Sequence, residues 1–289
     1  MKKACLLIVL ISCILLTACT SAPVPTGIYL KADGSGDFRT LEQTVQQAAA
    51  GSTIYLGPGT YRLTEPLLIE KSLHLVGAGM DETRIVSTAE DGVAGFRGEG
   101  PFTAEGITFE HEGNTVAHVV AVLGGSVIFK ECRFRGAVYG EESEQGGGGL
   151  LLGAETTGYV RDCVFEGNDT GIEVWEQARP TLERNICRDN EAVGIIYGGE
   201  AGGVASENEC IENAGHGVFV MGQASPTLER NICRDNDVGI FYSGEAGGVA
   251  RNNECTGNRV GIGLWEHAAP KLEDNNCHDN SVDNILDLR

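Results

Sequence analysis

From residue 158 onward, apolar and polar positions alternate with period two over short runs, and the runs recur every 22 to 23 residues. Ile172 and Val174 are followed by Ile195 and Tyr197, Val218 and Val220, Ile240 and Tyr242, and Ile262 and Leu264. Alternation of this kind predicts strands with one face turned to a core. Other positions fall into columns at the same spacing of 23, 23, 22 and 22. One holds Gly171, Gly194, Gly217, Gly239 and Gly261, and another Ala178, Ala201, Ala224, Ala246 and Ala268. A third holds Asn185, Asn208, Asn231, Asn253 and Asn275, followed two residues later by Cys187, Cys210, Cys233, Cys255 and Cys277. The unit RPTLERNICRDN at 179–190 returns almost unchanged at 225–236, and GGEAGGVA at 198–205 returns as SGEAGGVA at 243–250. Two kinds of coil therefore alternate. The column Leu182, Ala205, Leu228, Ala250, Leu272 alternates large and small, and Tyr197 and Tyr242 fall on the coils that carry Ala. This compensation keeps the core volume of each level constant.

Loops tolerate changes of length, so a period held over five units implies a constant rise per coil. Short strands, Gly and Asn suited to corners, and about 22 residues per turn predict an all-β solenoid, a parallel β-helix. The LxxLxLxxN pattern of a leucine-rich repeat is absent. The earlier half is less regular but similar in kind: Ile107-Thr108-Phe109, Cys132-Arg133-Phe134 and Cys163-Val164-Phe165 each read as one wall strand. Residues 40–50 read as a helix, with Thr40 and Gln43 at capping-box spacing and Leu41, Val45 and Ala48 on one face. Such a helix would cover the open end of the solenoid. The acidic, Gly-rich stretch 141–149 reads as a surface loop or lid.

The N-terminus has a different logic. Lys2 and Lys3 precede the apolar run 6–16, which is short for a membrane span and ends in Leu-Thr-Ala-Cys at 16–19. This resembles the bacterial lipobox. The resemblance implies a lipoprotein signal peptide over 1–18, acylation of Cys19, a tether over 19–27 and a lipid-anchored place in the cell envelope. The β-helix then occupies 28–289, with the cap and irregular coils in 28–157 and the regular repeats in 158–289. The formal net charge of -20 argues against nucleic acid and anionic lipid partners, and against polyanionic glycans unless cations bridge them. Seven cysteines remain beyond Cys19, an odd number. The period of the last five is that of the coil rather than of a metal site, so they read as small buried residues stacked along the axis. Disulfides between coils stay open as an alternative.

The phrases GIEVWEQARPTLERN and GIGLWEHAAPKLEDN resemble the repeats of the pectin-lyase-like superfamily, whose fold is a single-stranded right-handed parallel β-helix. The likeness covers about the last 130 residues. KADGSGDFRTLEQTVQQA at 31–48, Gly59-Thr60-Tyr61-Arg62 and 75–79 resemble the start of pectin methylesterases, where they build the cap and first coils. That family's catalytic Gln-Asp pairs are absent, so the resemblance implies a shared beginning of the helix and no esterase activity.

Alternation turns Glu173, Ile196, Phe219, Phe241, Trp175, Met221 and Trp265 outward. Trp175, Met221 and Trp265 share a column, and an outward aromatic stripe marks a contact surface suited to sugar rings or a protein partner. Gln177, Glu200, Gln223, Glu245 and His267 run beside it. Trp175, Phe219, Met221, Phe241, Trp265, Glu200 and Glu245 are the expected ligand-binding residues. Glu176 and Glu266 are the candidate acid and base if the protein cleaves glycosidic bonds. Stacked polar residues also occur on any solvated face of a solenoid. Scattered His and sparse Met give no transition-metal cluster, no cofactor motif is present, and acidic turns would suit Ca²⁺ without any spacing that requires it. These features favour an envelope scaffold that binds carbohydrate or another envelope protein. A polysaccharide-degrading enzyme, a hydrolase before a lyase, is the alternative.

Overall fold

The computed structural model describes residues 27–289 apart from Glu144. The signal segment, Cys19 and the tether as far as Thr26 lie outside them. The described chain winds as a parallel β-solenoid with three walls. Wall 1 contains Thr170–Val174, Val193–Tyr197, His216–Val220, Val238–Tyr242, Val260–Trp265 and Asp283–Leu288, each in parallel register with the next. Wall 2 contains Arg179–Glu183, Val204–Ser206, Thr227–Glu229, Val249–Arg251 and Lys271–Glu273. Walls 1 and 2 belong to one 19-stranded sheet, because the strands Leu67–Val76 and Ala94–Glu105 run from one wall into the other. Wall 3 is a separate sheet of 10 strands running from Gly59–Leu63 to Asn276–His278.

The inward positions are those read from the alternation. Ile172, Val174, Ile195, Tyr197, Val218, Val220, Ile240, Tyr242 and Ile262 are fully buried. So are Leu182, Ala205, Leu228 and Ala250, which confirms the pairing of large with small across a coil. Tyr197 and Tyr242 bring hydroxyls into the core that have no hydrogen-bond partner.

Two asparagine ladders run along the axis. In the expected one, each side-chain amide donates to the next coil's side-chain oxygen, as from Asn208 to Asn231 at 2.9 Å and from Asn231 to Asn253 at 2.9 Å. The same oxygen accepts the backbone N–H of the preceding Asn. The second ladder, Asn168, Asn190, Asn213, Asn236, Asn258 and Asn280, follows the same scheme. These side chains are buried in the corners and supply partners for backbone that turns away from the sheet.

Two columns depart from, or extend, the sequence reading. The Gly171 column lies inside wall 1 at ordinary φ. A Cβ on Gly194, Gly217 or Gly239 would meet the next coil's glycine carbonyl at 2.6 Å. Glycine is needed there for close approach, not for a turn. The left-handed corners are shared between other glycines, such as Gly199, Gly222 and Gly244, and charged residues, such as Arg184, Glu207, Arg230 and Asp274. Cys132 and Cys163 are not in the sulfur column. Cys163 donates its backbone N–H to Asn185 Oδ1, which places it at the head of the asparagine ladder. The sulfur column continues upstream as stacked Phe165, Phe134 and Phe109. All seven described cysteines are free thiols.

At the N-terminal end, Leu41–Gln47 is helical, shorter than the expected 40–50. Thr40 Oγ1 accepts the Gln43 N–H at 3.2 Å, and Leu41, Val45 and Ala48 close over the core. Only part of the 141–149 stretch is a surface loop: Gln145–Gly146 pairs antiparallel with Tyr139–Gly140, and Gly148 and Gly149 are buried at the start of the wall strand Gly148–Gly153.

Candidate functional site

The outer face of wall 1 carries the unusual surface. Register places Leu151, Glu173, Ile196, Phe219, Phe241 and Gly263 in one file, ending at Leu286. Phe219 stacks on Phe241 at 5.3 Å. A second file lies at the strand ends: Trp175, Gly198, Met221, Ser243 and Trp265. Where the files meet, Phe241 presents its ring to the edge of Trp265, with centroids 6.1 Å apart and planes at 82°. Gly263 forms the floor, since a Cβ there would meet the Phe241 ring at 2.9 Å. The resulting groove has a volume of about 280 Å³. One rim is Trp265, 52% exposed. The other is polar, with His216 and the ion pair of Arg259 with Asp237 at 2.6 Å. Burial holds the His216 imidazole below its ordinary pKa. An apolar floor, one exposed indole and a few convergent polar groups are the usual composition of a small-ligand site.

A second cluster lies at the upstream end of the same file. Glu173 is only 13% exposed. Its Oε2 accepts the Trp175 indole N–H at 3.1 Å. Its Oε1 lies 3.7 Å from His118 Nδ1. His118 Nδ1 accepts the Gly148 N–H at 3.1 Å, so that nitrogen carries no proton and the contact is not an ion pair. Gly148 makes room for the arrangement, since a Cβ there would lie 2.6 Å from Glu173 Oε1 and 2.8 Å from His118 Nδ1. Burial pushes the Glu173 carboxyl up to about 7, and the nearby Asp169 charge adds to this against the opposing indole hydrogen bond. Burial pushes His118 down to about 4. Asp169 is raised by burial, with the Thr170 hydroxyl acting against it.

The other expected residues are placed as follows. Trp175 is half-buried because its ring lies flat over Gly198. Glu200 and Glu245 are exposed and accept hydrogen bonds from Gln177 at 3.4 Å and Gln223 at 2.9 Å. Glu176 accepts the Ala154 N–H at 2.8 Å, and Glu266 accepts the Gly244 N–H at 2.6 Å. Both sit at φ near 60° in equivalent turns. Four coils separate them, about 19 Å at ~4.8 Å per strand spacing. The structure therefore does not bring them together around one bond. Glu173 was legible as an outward residue, but its burial was not. Its signal in the sequence is a lone acid in an otherwise apolar file. Among the described residues no group of three or more His, Cys, Asp or Glu side chains is arranged to hold a metal.

Fold and geometry together define a parallel β-solenoid with a groove on the outer face of one wall. Residues 117–277 match the family described as the right handed beta helix region, and the chain belongs to that family. The pectin-lyase-like architecture read from the repeats is the one observed. No curated protein matches the chain in sequence. Among solved structures it is similar to the Dettilon tailspike protein, with a TM-score of 0.60 at 13% identity, covering 82% of this chain and 54% of that one. It is similar to a variant of the periplasmic alginate epimerase AlgG, with a TM-score of 0.54 at 17% identity, covering 86% and 62%. It is similar to pectate lyase Pel9A, with a TM-score of 0.52 at 15% identity, covering 85% and 69%. The chain thus spans less than two thirds of the tailspike and the epimerase. At these identities the likeness is one of fold.

Proposed function

We propose that this protein is a membrane-anchored scaffold of the cell envelope that binds a polysaccharide chain along the outer face of wall 1. The observation that carries the reading is the groove bounded by Trp265, Phe241 and the Arg259–Asp237 pair. An indole half exposed beside an apolar floor offers its π face to the CH groups of a sugar ring, and the charged rim offers partners to the hydroxyls. The line of apolar positions continues past the groove for several coils, which suits an extended ligand better than a compact one. That a pectate lyase and an alginate epimerase share the fold supports polysaccharide as the ligand class. The lipobox at Cys19 supports the anchor.

The test is tryptophan fluorescence of the 27–289 domain titrated with oligosaccharides. We expect a saturable shift that Trp265→Ala weakens by about tenfold, the loss of one stacked aromatic contact. A flat response across a broad panel, or an unchanged affinity in Trp265→Ala, would reject the site. One observation favours the enzymatic alternative: Glu173 combines burial with a raised pKa, the property of a general acid. Cleavage of a bound oligosaccharide that disappears in Glu173→Gln would select that alternative.

A further inference from the structure

The outward file of wall 1 can be followed from the irregular coils to the C-terminal one. It reads Leu68, Gly95 and Ala121, then Leu151, Glu173, Ile196, Phe219 and Phe241, then Gly263 and Leu286. Glu173 is the one ionisable side chain in it. It lies in the same outward file as the Phe241 and Gly263 floor of the groove, four coils away, about 19 Å at ~4.8 Å per coil. The rise of one coil is comparable to the length of one sugar ring. A chain lying along the axis from the groove would reach Glu173 within a few residues.

We infer that Glu173 is a specificity residue for this ligand, admitting a glycan without charged groups and turning away a polyuronate. The inference rests on the polysaccharide reading above. It stands first on placement. A ligand carboxylate arriving between Leu151 and Ile196 would meet Glu173 across an apolar surface. The cation of the groove rim, Arg259, is already engaged by Asp237. The net charge of -20 acts in the same direction at longer range.

The groups that face Glu173 leave it as the discriminating charge. From two coils upstream comes His118, neutral over the physiological range because burial holds it down to about 4. The coil between contributes Gly148 and Leu151, which are uncharged. On its own coil are the Trp175 indole and Asp169, whose charge bears on Glu173. Glu191 of the next coil bears on Asp169, and Tyr139 of the hairpin lies on the same side. Directly downstream is Ile196. A carboxyl set in such surroundings ionises late, so its charge switches on within the range where a uronate is already fully ionised.

The experiment compares a neutral oligosaccharide with the uronic acid oligosaccharide of the same length and linkage, by isothermal titration at pH 5.5 and 8.5. The readout is the ratio of the two affinities. In the wild type the preference for the neutral ligand should grow by about tenfold between the two pH values, the effect of one like charge at an intermediate dielectric. In Glu173→Gln the ratio should stay near its acid value at both. Circular dichroism checks that the variant keeps its sheet content, and Glu254→Gln, at an exposed position on wall 3, serves as a control that retains the wild-type pH dependence. A ratio that does not change with pH in the wild type overturns the inference while leaving polysaccharide binding intact. So does a ratio that changes equally in Glu173→Gln. Failure of both ligands at both pH values overturns the inference together with the reading on which it rests.

Discussion

Glu173 and His118 show how burial at single residues couples this fold to pH. The carboxyl moves up from 4.5 to about 7, so the native state holds a proton that the unfolded chain releases between those values. Its contribution is present at acid pH and lost as pH rises through 7. The imidazole moves down from 6.5 to about 4, so the unfolded chain binds the extra proton, and stability from this residue rises with pH over that window. The two slopes oppose each other between about 4.5 and 6.5, which hides both in the wild type. Glu173→Gln should expose them. The stability of the variant relative to wild type, from urea denaturation, should increase by about 3 kcal/mol from pH 4.5 to pH 7.5. A difference that stays constant across that range would show that Glu173 titrates normally. The thiols lie at the other extreme. Cys210, Cys233 and Cys255 are held protonated by the hydrogen bond with the preceding thiol in the column, reinforced by burial. They pack as small apolar groups and offer no nucleophile.

At the scale of the coil, the alternation of large and small across the core is a volume constraint that can be tested directly. Tyr197 shares its level with Ala205, whereas Val174 and Val220 share theirs with Leu182 and Leu228. Ala205→Leu alone overfills a closed layer and should cost about 1–3 kcal/mol. Adding Tyr197→Val converts that coil to its neighbours' type and should recover most of the loss. It also removes a hydroxyl that has no partner. A double-mutant cycle with no coupling between the two sites would mean that the columns vary independently. The asparagine ladders set the other coil-scale rule. Each Asn bonds to both neighbouring coils, so corner geometry is inherited from one coil to the next, and the corner residue itself is free to be Arg, Glu or Asp.

For the whole molecule, the solenoid is a rod whose N-terminal end, beginning at Gly27, carries the capping helix. Wall 1 displays its file along the length of that rod. An anchor at Cys19 would hold the capped end at the membrane and leave the groove, near the far end, extended into the envelope space. Cys19→Ser should therefore move the protein from the membrane to the soluble fraction on detergent phase partition. It should leave oligosaccharide binding by the folded domain unchanged. Retention of the Ser variant in the membrane fraction would reject the lipid anchor.

The repeat period by itself determined the architecture. Alternation with period two names inward and outward residues, a constant period fixes register, and register is all that a stacked solenoid needs to define its core. Hence the inward pairs from Ile172 to Leu264 and the asparagine column were readable in advance. The irregular coils concealed the second rule, that Cys132 and Cys163 replace asparagine at the head of a ladder, because loops of varying length break the spacing there. Trp265, Phe241 and Met221 were readable as outward for the same reason. What an outward residue meets depends on the neighbouring coil and the loops, and only the tertiary structure decides it. Gly198 lets Trp175 lie down, Gly263 opens a floor beneath Trp265, and Gly148 admits Glu173 to the side of His118. Parity gives direction, whereas burial, and with it the pKa of a carboxyl, is set by atoms one or two coils away in sequence and in van der Waals contact in space.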